Sequence, residues 1–146
     1  MTDRADNLLI EMLHILLVED NPPDVLMARE GIRKSSISAD VTVAYDGEQA
    51  IRILTEQSFK PDFVILDLNL PKFSGFTLLE RYRAEDGPPV VVLSGLDRES
   101  DRQRALELGA QQYVVKPLGF DAFVDTVTSI VERWVKPLHK EIAASQ

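Results

Sequence analysis

Short apolar runs recur along the chain at a nearly even interval and predict the strands of one sheet. Four of the runs are continuous and rich in Val, Ile and Leu, which is typical of strands covered on both faces. The second run includes Thr42 and therefore suits an edge strand. The five runs occupy residues 15–18, 41–44, 63–66, 90–93 and 113–115.

The segments between the runs place apolar residues at helical spacing and predict five helices. The first follows Asp24 and the pair Pro22 and Pro23, which favour a helix start, and Gly31 is its one weak point. The last has the clearest stripe and is expected to end at Pro137. The five stripes are Val25, Leu26, Ala28 and Ile32; Ala50, Ile51, Ile53 and Leu54; Phe76, Leu78, Leu79 and Tyr82; Ala105, Leu106 and Leu108; and Phe120, Phe123, Val124, Val127, Ile130, Val131 and Trp134.

Strands that alternate with helices predict a doubly wound α/β domain, a flavodoxin-like (βα)5 sandwich of three layers around a parallel sheet. Right-handed crossovers leave few strand orders, and the order 2-1-3-4-5 puts the second strand at an edge. A chain of 146 residues has room for one domain of ordinary size. We expect that domain at residues 14–136, with an N-terminal extension at 1–13 and a C-terminal tail at 137–146.

Composition removes several classes of function. The chain has no cysteine, which excludes thiol catalysis, Cys-ligated metals and disulfides. The net charge of −8 argues against direct binding to nucleic acid. Asp3, Asp6 and Glu11 interrupt what would be a secretion signal, and no apolar stretch is long enough for a membrane span. We therefore expect a soluble, cytoplasmic protein with no membrane partner.

Polar side chains stand at the carboxyl ends of four predicted strands, where this architecture binds ligands. Glu19 and Asp20 follow the first strand, Asp67 the third, Ser94 the fourth and Lys116 the fifth. The first and third strands are neighbours, so three carboxylates converge, and such crowding favours a bound cation. Hard oxygen ligands in an open pocket suit Mg²⁺ better than a transition metal.

Each of these residues also has an ordinary structural interpretation when taken alone. Asp20 could cap the next helix, Ser94 could be a turn residue, and Lys116 could be a solvated loop residue. Capping alone does not readily produce an acid pair, an acid, a hydroxyl and a lysine at the ends of separate strands. The combination favours a site.

Five motifs in this order resemble the receiver domains of bacterial two-component response regulators, over about residues 14–134. The matching segments are 17–21 (LVEDN), 67–71 (DLNLP) followed by Gly75, 92–95 (VLSG), 109–110 (GA) and 113–117 (YVVKP). The sequences at 21–24 and 67–71 are similar to those of stand-alone receivers that partner bacterial phytochrome histidine kinases. The link at 83–88 is shorter than in those proteins, so this finer placement stays open.

The resemblance implies specific roles at the sheet edge. Receivers accept a phosphoryl group on an aspartate, with Mg²⁺ beside it, and a hydroxyl and an aromatic residue respond to the new group. The residues implied here are Asp67 as phosphoacceptor; Glu19, Asp20, Asp67 and the backbone carbonyl of Asn69 as the Mg²⁺ site; Lys116 and Ser94 in catalysis; Ser94 and Tyr113 as the switch; and Lys116 with Pro117 as a cis peptide.

The implied function is a phosphorylation-activated signalling switch. The phosphoryl donor would be a sensor histidine kinase or a histidine phosphotransfer protein, and the signal would pass to a downstream protein target. The only catalysis expected is the protein's own Mg²⁺-dependent phosphorylation and dephosphorylation. Two alternatives remain open, an intermediate in a phosphorelay and a pseudo-receiver that binds partners without phosphorylation.

Two enzyme or carrier classes fit less well. A flavin carrier needs a phosphate-cradling loop after the first strand, and the acidic loop here would repel the phosphate. A haloacid-dehalogenase-type phosphatase needs a general acid two residues after its nucleophile, a position held here by Asn69.

A homodimer is also expected, because the ends of the chain carry more apolar residues than one domain needs. The predicted contact uses the fourth and fifth helices and the fifth strand. The apolar residues concerned are Ile130, Trp134, Val135, Leu138 and Ile142, with Leu8, Leu9, Ile10, Met12 and Leu13 at the other end. Gln111 and Gln112 replace acidic residues that join a charged dimer contact in DNA-binding relatives, so a dimer of that style is in doubt. Alternatively, the N-terminal segment covers the last helix of its own chain.

Overall fold

The computed structural model describes residues 12–56, 60–82 and 87–144. Its five strands form one parallel sheet in the order β2-β1-β3-β4-β5, which confirms the predicted topology. The strands are β1 (Leu13–Val18), β2 (Ala39–Ala44), β3 (Phe63–Leu66), β4 (Val90–Ser94) and β5 (Gln112–Val115), and the helices are α1 (Pro22–Lys34), α2 (Gly47–Thr55), α3 (Gly75–Arg81), α4 (Glu99–Glu107) and α5 (Phe120–Ala144).

The sheet is covered on both faces because alternate side chains of each buried strand point to opposite sides. Ile15 and Leu17 of β1 pack in a core with α1 and α5. Leu16 and Val18 of the same strand pack in a second core with α2, α3 and α4. The result is the three-layer sandwich that the sequence predicts.

The register of the strands determines which residues meet at the carboxyl edge of the sheet. Val18 of β1 pairs with Leu66 of β3, so Glu19 and Asp67 leave the sheet side by side. The Asp67 amide donates to the Val18 carbonyl at 3.0 Å, which extends the ladder by one bond. Glu19, the adjacent Asp20 and Asp67 therefore lie at the same edge of the sheet.

The two edge strands are less buried than the three central ones. β2 is mostly half-buried, as its composition predicts. The interpretation of 113–115 as covered on both faces is wrong, because β5 is the other edge and Val115 is exposed. A continuous apolar run does not by itself distinguish a central strand from an edge that contacts one neighbour.

Gly31 allows α1 and α5 to approach closely. A Cβ atom at this position would lie 2.6 Å from Val127 Cβ and 2.7 Å from the Val124 carbonyl oxygen. The Thr128 hydroxyl donates to the Gly31 carbonyl at 2.7 Å. The glycine that weakens the helix on propensity is thus required by packing.

Several predicted core positions differ in the structure. Leu26 is 68% exposed, because it lies about 100° around the helix from Val25. Phe120 is 58% exposed at the first position of α5. Ile130, predicted to extend an outer apolar surface, is only 4% exposed and belongs to the core. Leu13 is buried within β1 and so belongs to the domain rather than to an extension.

The last helix does not end at Pro137 but runs to Ala144. A proline removes the hydrogen bond to the carbonyl four residues earlier and crowds that carbonyl, which can kink a helix without ending it. Leu8, Leu9 and Ile10, and the side chains of Val135, Leu138 and Ile142, lie outside the described part of the structure. Among the described residues, we find no helix with both the length and the apolar character needed to span a bilayer.

Candidate functional site

Three carboxylates meet at the carboxyl edge of the sheet, as the sequence predicts. One oxygen from each of Glu19, Asp20 and Asp67 lies within 4.8 Å of the others. Glu19 is 3% exposed and Asp67 is 5% exposed, whereas Asp20 faces solvent. The cluster is therefore closed on the sheet side and open on one side.

Lys116 brings the positive charge to this cluster. Its loop follows β5, and its backbone amide donates to the Ser94 carbonyl at 2.8 Å. Its Nζ donates to Glu19 Oε1 at 2.6 Å, to Asp24 Oδ2 at 2.7 Å and to Asp67 Oδ2 at 2.9 Å. The side chain is 14% exposed, so these charge-assisted bonds form away from most of the solvent.

The predicted cis bond between Lys116 and Pro117 is wrong, since none of the peptide bonds that the structure describes is cis. The trans form is the ordinary one for a bond before proline. In the trans form the four-carbon stem of Lys116 already reaches Asp67, so no special peptide geometry is needed to aim the ammonium.

Asp24 is a member of the site that the sequence reasoning missed. The sequence pattern indicates only that Asp24 lies at the start of α1, and the structure places it in the first turn of that helix. The available signal was its place in that turn, because α1 begins at the same sheet edge as the carboxylates. Its partner Lys116 lies 92 positions further along the chain, and sequence spacing does not predict a contact over that separation.

The cap of α1 is Asn21, so the interpretation of Asp20 as an N-cap is wrong. The Asn21 side chain accepts from the Asp24 amide at 3.1 Å. The Asn21 amide in turn donates to Glu19 Oε2 at 3.2 Å. Asp20 is thus left available for a ligand, and the cap orients both Glu19 and Asp24.

The segment after β3 holds Asp67 from the other side. The Asn69 amide donates to Asp67 Oδ1 at 3.2 Å, so both carboxylate oxygens of Asp67 have partners. A Cβ at Gly75 would lie 2.8 Å from the Asp67 carbonyl oxygen, and this contact explains the glycine. Lys72, at a φ of 73°, binds Glu48 at 3.1 Å and Asp46 at 3.6 Å, which ties this loop to α2.

Burial and crowding perturb the acids. Burial, reinforced by the nearby charge of Asp67, raises the pKa of Glu19 to about 7, against the opposing hydrogen bond from Lys116. Burial alone would lower the pKa of Lys116, but its hydrogen bonds to Asp24, Glu19 and Asp67 outweigh this and raise it. Lys116 therefore remains an ammonium ion, and the site carries an excess of acid groups.

Ser94 and Tyr113 converge on one short segment beside the acids. Ser94 is fully buried, and its Oγ accepts from the Leu96 amide at 3.4 Å. The Tyr113 hydroxyl donates to the Leu96 carbonyl at 2.5 Å. Burial, and then the charges of Asp101 and Asp67, raises the pKa of Tyr113, which keeps the hydroxyl protonated. The two predicted switch residues are thus joined through the backbone of Leu96.

The donor set fits a divalent cation. Glu19, Asp20 and Asp67 offer only oxygen ligands, and their separations allow a single ion to contact all three. Such an ion would also neutralise the crowded negative charge of these residues.

A family model for the response regulator receiver domain matches residues 15–128 of the chain. The transcriptional activator protein IrlR of Burkholderia pseudomallei is 38% identical over 121 residues, which cover 83% of this chain and 51% of that protein. The chain thus spans about half the length of the curated relatives it matches.

Solved structures of receivers are similar as well. The phosphorylated cyanobacterial phytochrome response regulator RcpA has a TM-score of 0.80 at 30% identity, covering 86% of this chain and 96% of that one. The Mn²⁺-bound form of response regulator Rcp1 has a TM-score of 0.77 at 30% identity, covering 85% and 95%.

Proposed function

Since the chain belongs to the receiver domain family of response regulators, we propose that its phosphorylation switch operates through Asp67 as the phosphoacceptor. The observation that carries this proposal is that Asp67 contacts a lysine and also belongs to a cluster of acids that could hold a cation. Lys116 Nζ lies 2.9 Å from Asp67 Oδ2, and oxygens of Glu19, Asp20 and Asp67 lie within 4.8 Å of one another.

The chemistry requires little beyond positioning and charge neutralisation. A carboxylate oxygen of Asp67 attacks the phosphorus, the bond from phosphorus to the donor breaks, and the donor leaves with that electron pair. The product is an acyl phosphate. Mg²⁺, when held by Asp20, Asp67 and the Asn69 carbonyl with waters oriented by Glu19, would supply charge neutralisation for the phosphoryl oxygens. Lys116 supplies the second positive charge.

Ser94 and Tyr113 transmit the change in this proposal. The Ser94 hydroxyl gains a phosphoryl acceptor that exists only after phosphorylation. A shift of Ser94 toward it moves the Leu96 segment, to which the Tyr113 hydroxyl is bonded at 2.5 Å. A local charge event thereby biases a two-state surface.

The donor in this proposal is a histidine kinase or a histidine phosphotransfer protein. Leu118 is 96% exposed and lines the same cavity as Lys116, so a partner helix could cover it there. A cavity of about 400 Å³ lies beside Lys116 and is lined by Met27, Gly95 and Phe123 among others. The likeness to RcpA, named as a phytochrome response regulator, supports a kinase of the phytochrome type. The signal then passes to a protein target or onward in a phosphorelay.

Incubation with acetyl phosphate and Mg²⁺, followed by intact mass, tests the proposal. We expect wild type to gain one phosphoryl group that hydroxylamine removes, as an acyl phosphate should be removed. Chelation of the metal should prevent the gain. No mass gain at any donor concentration, or a gain that hydroxylamine leaves in place, would contradict the proposal.

We further propose a homodimer through α4, β5 and α5, an isologous contact. Support comes from the open edge of β5, where Val115 is exposed, and from Trp134 next to it, whose Nε1 donates to Gln112. The burial of Ile130 leaves less apolar surface for this contact than the sequence suggested.

Sedimentation at micromolar concentration should show a wild-type dimer that Trp134→Ala weakens by about tenfold or more in Kd. Leu26→Ala, an exposed apolar residue on α1, is the matched control and should leave Kd unchanged. A monomeric wild type, or a dimer indifferent to loss of both Trp134 and residues 1–12, would show that the contact lies elsewhere.

A further inference from the structure

Asp24 contacts the lysine of the site but is not part of the metal-binding group. Its Oδ2 lies 2.7 Å from Lys116 Nζ, and its side chain is 20% exposed. The oxygens close enough to share an ion belong to Glu19, Asp20 and Asp67. Asp24 therefore approaches the ammonium from α1 and lies outside the cation cluster.

The three N–H bonds of the Lys116 ammonium are matched by three carboxylates in this structure. Two of these carboxylates, Glu19 and Asp67, also belong to the cation cluster. A bound metal ion, with the waters that Glu19 orients, would compete with the ammonium for these two carboxylates. Asp24 is the one partner of Lys116 for which the metal would not compete.

We propose that Asp24 is a positioning residue that retains the Lys116 ammonium beside Asp67 when a metal ion occupies the cluster of Glu19, Asp20 and Asp67. This inference rests on the proposed phosphorylation of Asp67. With Asp24 in place, the ammonium keeps an anchor while its other N–H bonds become free for the incoming phosphoryl oxygens. Without it, the ammonium would lose this anchor and could turn into the neighbouring cavity, which Lys116 also lines.

Asp24 is suited to this task because its own position is rigid. Asn21 accepts from the Asp24 amide, and the adjacent Val25 is buried against the core of α1 and α5. Lys116, by contrast, is a flexible side chain on a loop that continues through Gly119 at a φ of 95°. Helix α1 thus holds Asp24 in place, and the loop after β5 carries the positive charge of Lys116.

A purely electrostatic role for Asp24 predicts an effect of the opposite sign. A carboxylate near the mouth of the site repels an anionic donor, so its removal should lower the KM for acetyl phosphate and speed the reaction. A positioning role predicts that Asp24→Asn lowers the maximal rate about tenfold, with no rise in KM. Asp24→Glu, which restores a carboxylate, should recover part of the rate.

The experiment measures the rate of phosphorylation at saturating Mg²⁺ over a range of acetyl phosphate concentrations. Glu30→Gln is the matched control, because it removes the same charge from the same helix at a residue that pairs only with Arg33 among the contacts described. Its maximal rate should stay within twofold of wild type. An equal or faster maximal rate for Asp24→Asn would overturn the inference and leave the role of Asp67 intact.

A second measurement needs no variant. In wild type saturated with Mg²⁺, the Lys116 ammonium protons should exchange with water at least tenfold more slowly than those of the exposed Lys34, as seen by ¹⁵N-resolved NMR. Equal exchange rates would overturn the inference even if Asp24→Asn fails to fold. A wild type that gains no phosphoryl group on Asp67 would overturn both the inference and the proposed function.

Discussion

Asp67→Asn protein should gain no phosphoryl mass from acetyl phosphate and Mg²⁺ under conditions that fully modify wild type. The substitution preserves shape and keeps an oxygen that could still accept from Lys116 or from the Asn69 amide, contacts that measure 2.9 Å and 3.2 Å in the wild type. A neutral amide is a poor nucleophile and a poor metal ligand, so the reaction loses its attacking group. The expected effect is complete loss, read by intact mass.

Asp125→Asn is the control for this prediction. Asp125 is an exposed acid on α5 whose described ion pair, with Lys34, is long at 3.9 Å. Its replacement should leave phosphorylation unchanged. A phosphoryl group on the Asp67→Asn protein would place the acceptor at another carboxylate, and peptide mapping would identify it.

Asp20→Asn should reveal two effects of the crowded negative charge, one on stability without metal and one on the stabilisation that Mg²⁺ gives. Asp20 has the most exposed carboxylate of the cluster, and the described contacts of Lys116 go to Glu19, Asp24 and Asp67 instead. Without metal, the variant should be more stable by up to about 1 kcal/mol, because one uncompensated charge is removed and solvent screens part of the gain.

The same variant should lose the stabilisation that Mg²⁺ gives to wild type, which grows as RT ln(1 + [L]/Kd). Melting temperatures with and without Mg²⁺ measure both effects. Asp40→Asn, an exposed acid on the edge strand β2, should melt with the same Mg²⁺ dependence as wild type. Melting curves for Asp20→Asn that coincide with those of wild type in both conditions would exclude Asp20 as a metal ligand.

Sequence reasoning located the sheet edge because topology, and not side-chain detail, brings the strand ends together. The strand order makes β1 and β3 neighbours, and the observed pairing of Val18 with Leu66 then makes Glu19 and Asp67 neighbours whatever their rotamers. The same logic does not reach Asp24. Its contact depends on which way the first turn of α1 faces, and that is set by the Asn21 cap and by close packing at Gly31.

Predictions about individual apolar residues failed where helical spacing alone was used. Ile130 and Phe120 both fit the stripe of α5, yet one is buried and the other exposed. Phe120 is the first residue of α5, whereas Ile130 lies well inside the helix and packs in the core with α1. Spacing describes a face of a helix, but burial also requires a partner opposite that face.

The length of α5 gives the molecule a mechanical lever. The helix begins four positions after Lys116 and has 25 residues, about 37 Å at 1.5 Å per residue, whereas the 4 residues of β5 span only about 13 Å. α5 packs closely against α1 near Gly31, and a tilt of α5 would pivot about this contact. From Val127, beside Gly31, to Ala144 the helix extends about 26 Å, so a tilt of about 5° displaces the far end by about 2 Å. A small tilt at the contact with α1 would therefore displace the end of the helix more than the residues at that contact, and Pro137 is where a bend in the helix would cost least.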